Sequence, residues 1–185
     1  MPLSQPMKAL FIDRDGVINK RRMADYVKRT EEFEFLPEIF EVLPLIHAAG
    51  YLAIVITNQR GIGRGLMSEA DLEEIHRTMQ QQLIERTGHR FDAIYHCPHD
   101  HADACACRKP LPGMILQAAA RFDIDLESSW MVGDSESDIE AGIAAGCRTA
   151  RIHPAGGSTR AELSAESLAG AWEQIARQES VQPAD

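Results

Sequence analysis

Short apolar runs alternate with longer amphipathic stretches along most of this chain. Residues 8–12, Lys-Ala-Leu-Phe-Ile, stop at an acid, and residues 52–56, Leu-Ala-Ile-Val-Ile, stop at Thr57. Continuous runs of this kind suit strands buried on both faces of a parallel sheet. Between them, residues 37–49 read as a helix stopped by Gly50. Leu72, Ile75, Met79 and Leu83 recur at helical spacing, and Ser68 with Asp71 makes a capping-box pattern ahead of them. Further along, residues 92–95, 130–132 and 148–152 read as strands, and 114–122, 136–145 and 161–177 as helices. This alternation implies right-handed βαβ units, hence an α/β fold with a three-layer parallel sheet covered by helices on both faces.

The breaks in the pattern matter as well. Residues 153–159 form a Pro/Gly-rich loop, and 178–185 read as a frayed tail. Residues 16–35 are charged and show no period, so they read as a flap over a site. The length of 185 residues fits one domain, 1–185, and no internal repeat is visible.

Composition narrows the function classes. Apolar residues make up 44% and charged residues 25%, enough for a core inside a normal globular surface. No segment approaches the ~20 apolar residues that span a bilayer. The polar start, Met1 to Pro6, is too short for a secretory signal, so the expected location is the cytoplasm and no membrane partner is expected. A net charge of −9 argues against nucleic acid. A phosphorylated small molecule needs only a local basic patch, and Lys20-Arg21-Arg22, Arg60 with Arg64, and Arg108-Lys109 offer such patches to a monomer.

In open α/β sheets ligands bind beyond the carboxyl ends of the strands. Three strands end there in polar residues: Asp13-Arg14-Asp15-Gly16, Thr57-Asn58-Gln59, and Gly133-Asp134-Ser135 with Asp138 one turn into the next helix. Asp13 and Asp15 can reach one site, and a divalent cation relieves their repulsion. With Asp134 they form an oxygen-only set that suits Mg²⁺. A carboxylate can attack phosphorus, and a second acid can protonate the leaving oxygen. Lys109, Thr57 and backbone amides after Asp13 can neutralise phosphoryl charge. The first tetrad alone is equally a polar turn; its company makes it a site.

Cys97-Pro98-His99, five residues, then Cys105-Ala106-Cys107 gives C-x-H-x₅-C-x-C. Three thiolates and an imidazole make a closed tetrahedral set, the signature of structural Zn²⁺. It would staple an irregular loop at 97–107 and aim Arg108 and Lys109. His96 and His101 compete with His99 on spacing alone.

Asp13-x-Asp15-Gly16, Thr57-Asn58, Arg108-Lys109-Pro110 and Gly133-Asp134-x-x-x-Asp138 resemble, in order, the four motifs of the haloacid dehalogenase-like phosphatases. The resemblance implies a Rossmann-like core, here without a cap domain. It implies Asp13 as nucleophile and Asp15 as acid/base. Thr57, Asn58 and Lys109 would hold the phosphoryl group. Asp134 would hold Mg²⁺ with Asp13 and the carbonyl of Asp15, with Gly133 and Asp138 in support. The cysteine cluster is similar to that of the branch holding heptose-1,7-bisphosphate and histidinol-phosphate phosphatases. Gly61-Ile62-x-Arg64-Gly65 and Pro112-Gly113 look closer to the heptose group, which implies a phosphosugar substrate. Lys20-Arg21-Arg22-Met23 and Ser135 depart from that group's pattern, both on the substrate side. Arg21, Arg22, Arg60, Arg64 and Arg108 are the candidate substrate cations, and histidinol phosphate is the alternative substrate. A zinc-stabilised module that binds a sugar phosphate without turnover is a further alternative, against which the intact acid pair argues.

Of the remaining residues, His47, His76 and His89 read as helix-surface positions. Cys147, Trp130 and Trp172 read as packing residues.

Overall fold

A computed structural model describes residues 6–23, 25–154 and 157–181. Strand β1 (Lys8–Ile12) leads through a long irregular segment to helix α1 (Ile39–Ala48) and strand β2 (Tyr51–Asn58). A single turn, α2 (Arg60–Gly63), and the long helix α3 (Glu69–Thr87) precede β3 (Ala93–Cys97). Then follow α4 (Gly113–Phe122), β4 (Trp130–Gly133), α5 (Glu136–Ala145), β5 (Arg148–Ile152), β6 (Leu163–Ala165) and α6 (Leu168–Val181). All pairings are parallel and the sheet order is β3-β2-β1-β4-β5-β6.

Alternation along β1 builds both hydrophobic layers. Leu10 and Ile12 enter a core with α1, α3 and α6, while Ala9 and Phe11 enter another with α4 and α5. All four side chains are fully buried, as the apolar run requires. Trp130 belongs to the first core, Cys147 to the second, and Trp172 packs edge-on against Tyr51. Ser68 and Asp71 do form a capping box at the start of α3.

Two expectations change. Residues 161–177 are not one helix: Leu163–Ala165 pairs with β5 as a sixth strand, and the helix begins only after Ser167. The Ser167 hydroxyl accepts from the Gly170 amide at 3.1 Å, a local cap that competes with earlier helix. At its other end α6 runs on to Val181, four residues past the expected stop, and residues 182–185 lie outside those described. The third strand is also displaced, to Ala93–Cys97, because β2 offers partners as far as Asn58.

Among the described residues of 16–35 there is one 3-10 turn, Thr30–Glu32, and several of them are pinned. Asn19 is fully buried, Val17 and Ile18 join the main core, and Val27 packs with Met67, Leu72 and Ile75.

Candidate active site

The first, second and fourth strands lie side by side, so their polar carboxyl ends converge. The Asp13 amide donates to the Val132 carbonyl at 3.0 Å, which carries the β1–β4 pairing one residue beyond the strand. Asp13 therefore stands beside Gly133 and Asp134. Two glycines make this approach possible. A Cβ on Gly133 would lie 2.3 Å from the Asp138 side chain, and one on Gly16, whose φ is +99°, would lie 2.0 Å from Asp134 Oδ2.

Lys109 is buried between two carboxylates. Its Nζ donates to Asp13 Oδ1 at 2.7 Å and to the Ile56 carbonyl at 2.8 Å, and lies 2.6 Å from Asp138 Oδ1. Burial alone would lower its pKa, but Asp13 and Asp138 outweigh that and raise it, so the ammonium stays charged. Asp138 Oδ2 accepts from the Ser135 amide and hydroxyl, at 3.0 and 2.7 Å, and so also caps α5. Carboxylate oxygens of Asp13, Asp134 and Asp138 lie within 4.8 Å of one another. Burial, followed by the Asp138 charge, pushes Asp13 up to about 7 against the pull of Lys109. Burial also lifts Asp134 to about 6, opposed by Arg21. This cluster holds more negative charge than its cations balance.

Asp15 is turned away from that cluster. Arg14 Nη2 donates to both its oxygens at 3.0 Å, Asn19 Nδ2 to Oδ1 at 3.0 Å, and Gln59 Nε2 to Oδ2 at 3.0 Å. Burial would raise its pKa, but the Arg14 charge and these hydrogen bonds hold it below the usual carboxylate range. Its backbone carbonyl instead faces the cluster, where Arg21 Nη2 bridges it at 3.1 Å to Asp134 Oδ1 at 2.7 Å.

The remaining expected residues divide. The Thr57 hydroxyl accepts from Gln59 Nε2 at 2.8 Å. Asn58 has both amide atoms on the Lys109 backbone, at 3.1 Å each, so it braces the lysine. A cleft of about 320 Å³ beside Asp15 is lined by Arg21, Arg22, Arg60 and Arg108, with Tyr26 and Asn58. Arg60 pairs with Asp100, and Arg22 lies 3.9 Å from Glu32 and 4.0 Å from Asp25. Arg64 is exposed and does not line this cleft.

Cys97, His99, Cys105 and Cys107 come together as the spacing predicts, and can hold a metal ion. Cys97 Sγ lies 3.6 Å from Cys105 Sγ, 3.2 Å from Cys107 Sγ and 3.5 Å from His99 Nδ1. These approach the edges of a tetrahedron with ligands about 2.3 Å from its centre. His96 pairs with Glu69 and His101 reaches Arg108, which leaves His99 as the nitrogen donor. The loop is tied to the cleft wall: the Gln59 amide donates to the Cys97 carbonyl, and the Gly63 amide to that of Pro98, both at 2.8 Å.

The sequence reading missed the layer behind Asp15. Arg14 is fully buried, and His76, expected on the helix surface, is buried against it. Three neighbouring helix positions, Leu72, Ile75 and Met79, already formed the apolar face. The available signal was Arg14 itself, a cation in a buried strand end that must find acceptors nearby.

Comparison with known proteins places these features in context. A family model described as HAD-hydrolase-like matches residues 106–175. The chain is 48% identical over 136 residues to D-glycero-β-D-manno-heptose-1,7-bisphosphate 7-phosphatase of Helicobacter pylori, covering 74% of this chain and 77% of that one. It is 41% identical over 170 residues to D-glycero-α-D-manno-heptose-1,7-bisphosphate 7-phosphatase of Mycobacterium tuberculosis, covering 89% of this chain and 87% of that one. The crystal structure of D,D-heptose 1,7-bisphosphate phosphatase from B. bronchiseptica, complexed with magnesium and phosphate, superposes with a TM-score of 0.85 at 37% identity, covering 93% and 99%.

Proposed function

We propose, from the premise that this chain belongs to the haloacid dehalogenase-like phosphatase family that includes the heptose-1,7-bisphosphate 7-phosphatases, that it removes the 7-phosphate of D-glycero-D-manno-heptose 1,7-bisphosphate. The observation that carries this reading is the Asp13–Lys109–Asp138 cluster standing next to an arginine-lined cleft, with Asp15 at the boundary.

In this reading Asp13 Oδ attacks phosphorus and the bond from phosphorus to the sugar oxygen breaks. A proton passes from Asp15 to that oxygen, leaving an aspartyl-phosphate on Asp13. Asp15 then takes a proton from water, water oxygen attacks phosphorus, and phosphate leaves as the Asp13 carboxylate returns. Arg14 and the hydrogen bonds around Asp15 favour its carboxylate form, so the proton it delivers is taken up from solvent as substrate binds. An incoming phosphate dianion adds like charge beside it and raises its proton affinity, as the first step requires. Lys109 holds the phosphoryl oxygens against Asp13, and Thr57 supplies a hydroxyl.

The donor set fits Mg²⁺: oxygen ligands only, with excess negative charge expressed in the raised pKa values of Asp13 and Asp134. Asp13, Asp134 and the Asp15 carbonyl would hold it, with Asp138 behind. Bound there it supplies charge neutralisation to the phosphoryl group. Zn²⁺ fits Cys97, His99, Cys105 and Cys107 as a structural ion with no open position. In the cleft, Arg108, Arg60, Arg21 and Arg22 would read the phosphate that is not transferred.

The test compares kcat/KM for the heptose 1,7-bisphosphate, other phosphosugars and histidinol phosphate. Preference for the heptose bisphosphate supports the assignment. Preference for histidinol phosphate would replace it with the alternative.

A further inference from the structure

We propose that His76 is a positioning residue for proton transfer: by accepting a hydrogen bond from Arg14 it fixes the guanidinium that aims the Asp15 carboxylate. The inference rests on the reading of Asp15 as the acid/base and adds to it a residue from the middle of α3.

The geometry is a chain of three side chains. Arg14 leaves β1 between the two aspartates but points behind the site, fully buried. Its Nη2 serves Asp15 Oδ1 and Oδ2 at 3.0 Å each and Gln59 Oε1 at 3.3 Å. Its Nη1 meets His76 Nε2 at 3.2 Å. Its Nε is buried with no hydrogen-bond partner among the described residues. The guanidinium is therefore held at two of its nitrogens, Nη2 by Asp15 and Gln59 on the site side and Nη1 by His76 on the far side. Without the second point it can pivot about Nη2, and Asp15 pivots with it.

Arginine only donates, so His76 Nε2 must be the acceptor and the ring proton sits on Nδ1. Burial, followed by the charge of Arg14, pushes the imidazole down to about 3, consistent with that neutral form. A neutral acceptor suits this place better than a carboxylate. A second acid would pair with Arg14 and weaken its hold on Asp15, whereas histidine orients the guanidinium and leaves its charge to Asp15. Beyond His76 the His96 ring follows at 6.2 Å between centroids, itself tied to Glu69 at 2.8 Å.

A residue that acts through the general acid has a signature that mere core packing lacks. An alkyl phosphate needs its leaving oxygen protonated. p-Nitrophenyl phosphate expels a stabilised phenolate and does not. The parameter to follow is kcat/KM, which covers the steps up to release of the alcohol. His76→Leu should lower kcat/KM for a phosphosugar about tenfold or more, since small misplacements of reacting groups carry costs of that order. The nitrophenyl ester should change by less than about threefold, because proton donation contributes little to its cleavage. His76→Gln, whose amide oxygen can reach the position of Nε2, should restore most of the loss. If the leucine variant does not fold, His76→Asn, whose amide ends short of that position, should show the same selective loss. Equal loss on both substrates, no loss on either, or no recovery with glutamine would overturn the proposal. Asp15→Asn run alongside keeps the two readings apart. If it lacks the leaving-group selectivity, the role of Asp15 falls; if it shows the selectivity and the His76 variants do not, only the present inference falls.

Discussion

Gly133 has no space for a methyl group, because the Asp138 carboxylate stands where a Cβ would go. Gly133→Ala must displace Asp138, and with it one of the two carboxylates that grip Lys109. Overpacking of this kind costs about 1–3 kcal/mol, so a lowered melting temperature together with lost activity is expected, and a variant with wild-type Tm would contradict the geometry. Asp13→Asn should abolish turnover but keep the fold, since Lys109 retains Asp138 and the Ile56 carbonyl. Asp15→Asn should lower kcat by ~10² or more, the usual worth of an acid/base; a variant of either that keeps more than about a hundredth of wild-type kcat would contradict the roles. His76 yields a pH dependence. Its folded pKa, about 3, lies below the unfolded value of 6.5, so as pH falls below 6.5 the unfolded chain takes up a proton that the fold refuses. Stability from this residue is present above that pH and is lost progressively toward 3. Between pH 7 and 5 the wild type should therefore lose more stability in urea titrations than His76→Leu; parallel losses would mean His76 is not held neutral. Asp13 and Asp134, with raised values, act in the opposite sense but do so in both proteins. At this scale the sequence pointed to Asp13, Asp15 and Asp134 because they sit at strand ends, and to Lys109 because it follows the cysteine cluster in a recognisable motif. It hid His76 because nothing local tells a buried histidine from one on a helix surface, and Arg14 was the one hint that an acceptor had to lie behind the site.

Elements were legible where one period dominated. Arg148–Ile152 and Glu136–Ala145 appear with the bounds the pattern predicts, the first as a buried-face strand and the second as a helix ending at Gly146. The sixth strand was not legible, since Leu163–Ala165 has only three residues and is strand by virtue of pairing with β5. The loop that carries Cys97, His99, Cys105 and Cys107 is the opposite case. It has little regular structure, with one 3-10 turn at His101–Asp103, yet its cysteine and histidine spacing identified it. Its order depends on the ion in the proposed reading. Elemental analysis of protein purified without added metal should find one zinc per chain, and Cys107→Ser should lower thermal stability, because assembly of such a site is coupled to local folding. Full stability and activity after removal of zinc by EDTA would defeat the structural assignment.

Across the whole molecule, function divides between a floor and a wall. The floor is the set of strand ends in the middle of the sheet; the wall of the arginine-lined cleft is made by Arg21, Arg22 and residues 25–27, by Arg60 of α2, and by Arg108 just after the cysteine loop. In the wall, Arg108 has its Nη1 on the His99 carbonyl at 3.3 Å and its Nη2 3.4 Å from His101, so the loop aims it. Arg108→Ala should lower kcat/KM for a 1,7-bisphosphate far more than for a generic monophosphate, because remote binding energy is expressed only with the full substrate. Arg21→Ala should show a mixed loss instead, since its guanidinium reaches Asp134 and the Asp15 carbonyl as well as lining the cleft. Equal losses for Arg108→Ala on both substrates would mean that it does not read the second phosphate. The hydrogen bonds from the Gln59 and Gly63 backbone amides to the Cys97 and Pro98 carbonyls tie α2 and the loop into a single piece of the wall, joined to the floor through Asn58, the backbone of Lys109 and the Gln59 side chain. A lineage could therefore exchange that piece, and acquire a new substrate, while inheriting its chemistry unaltered.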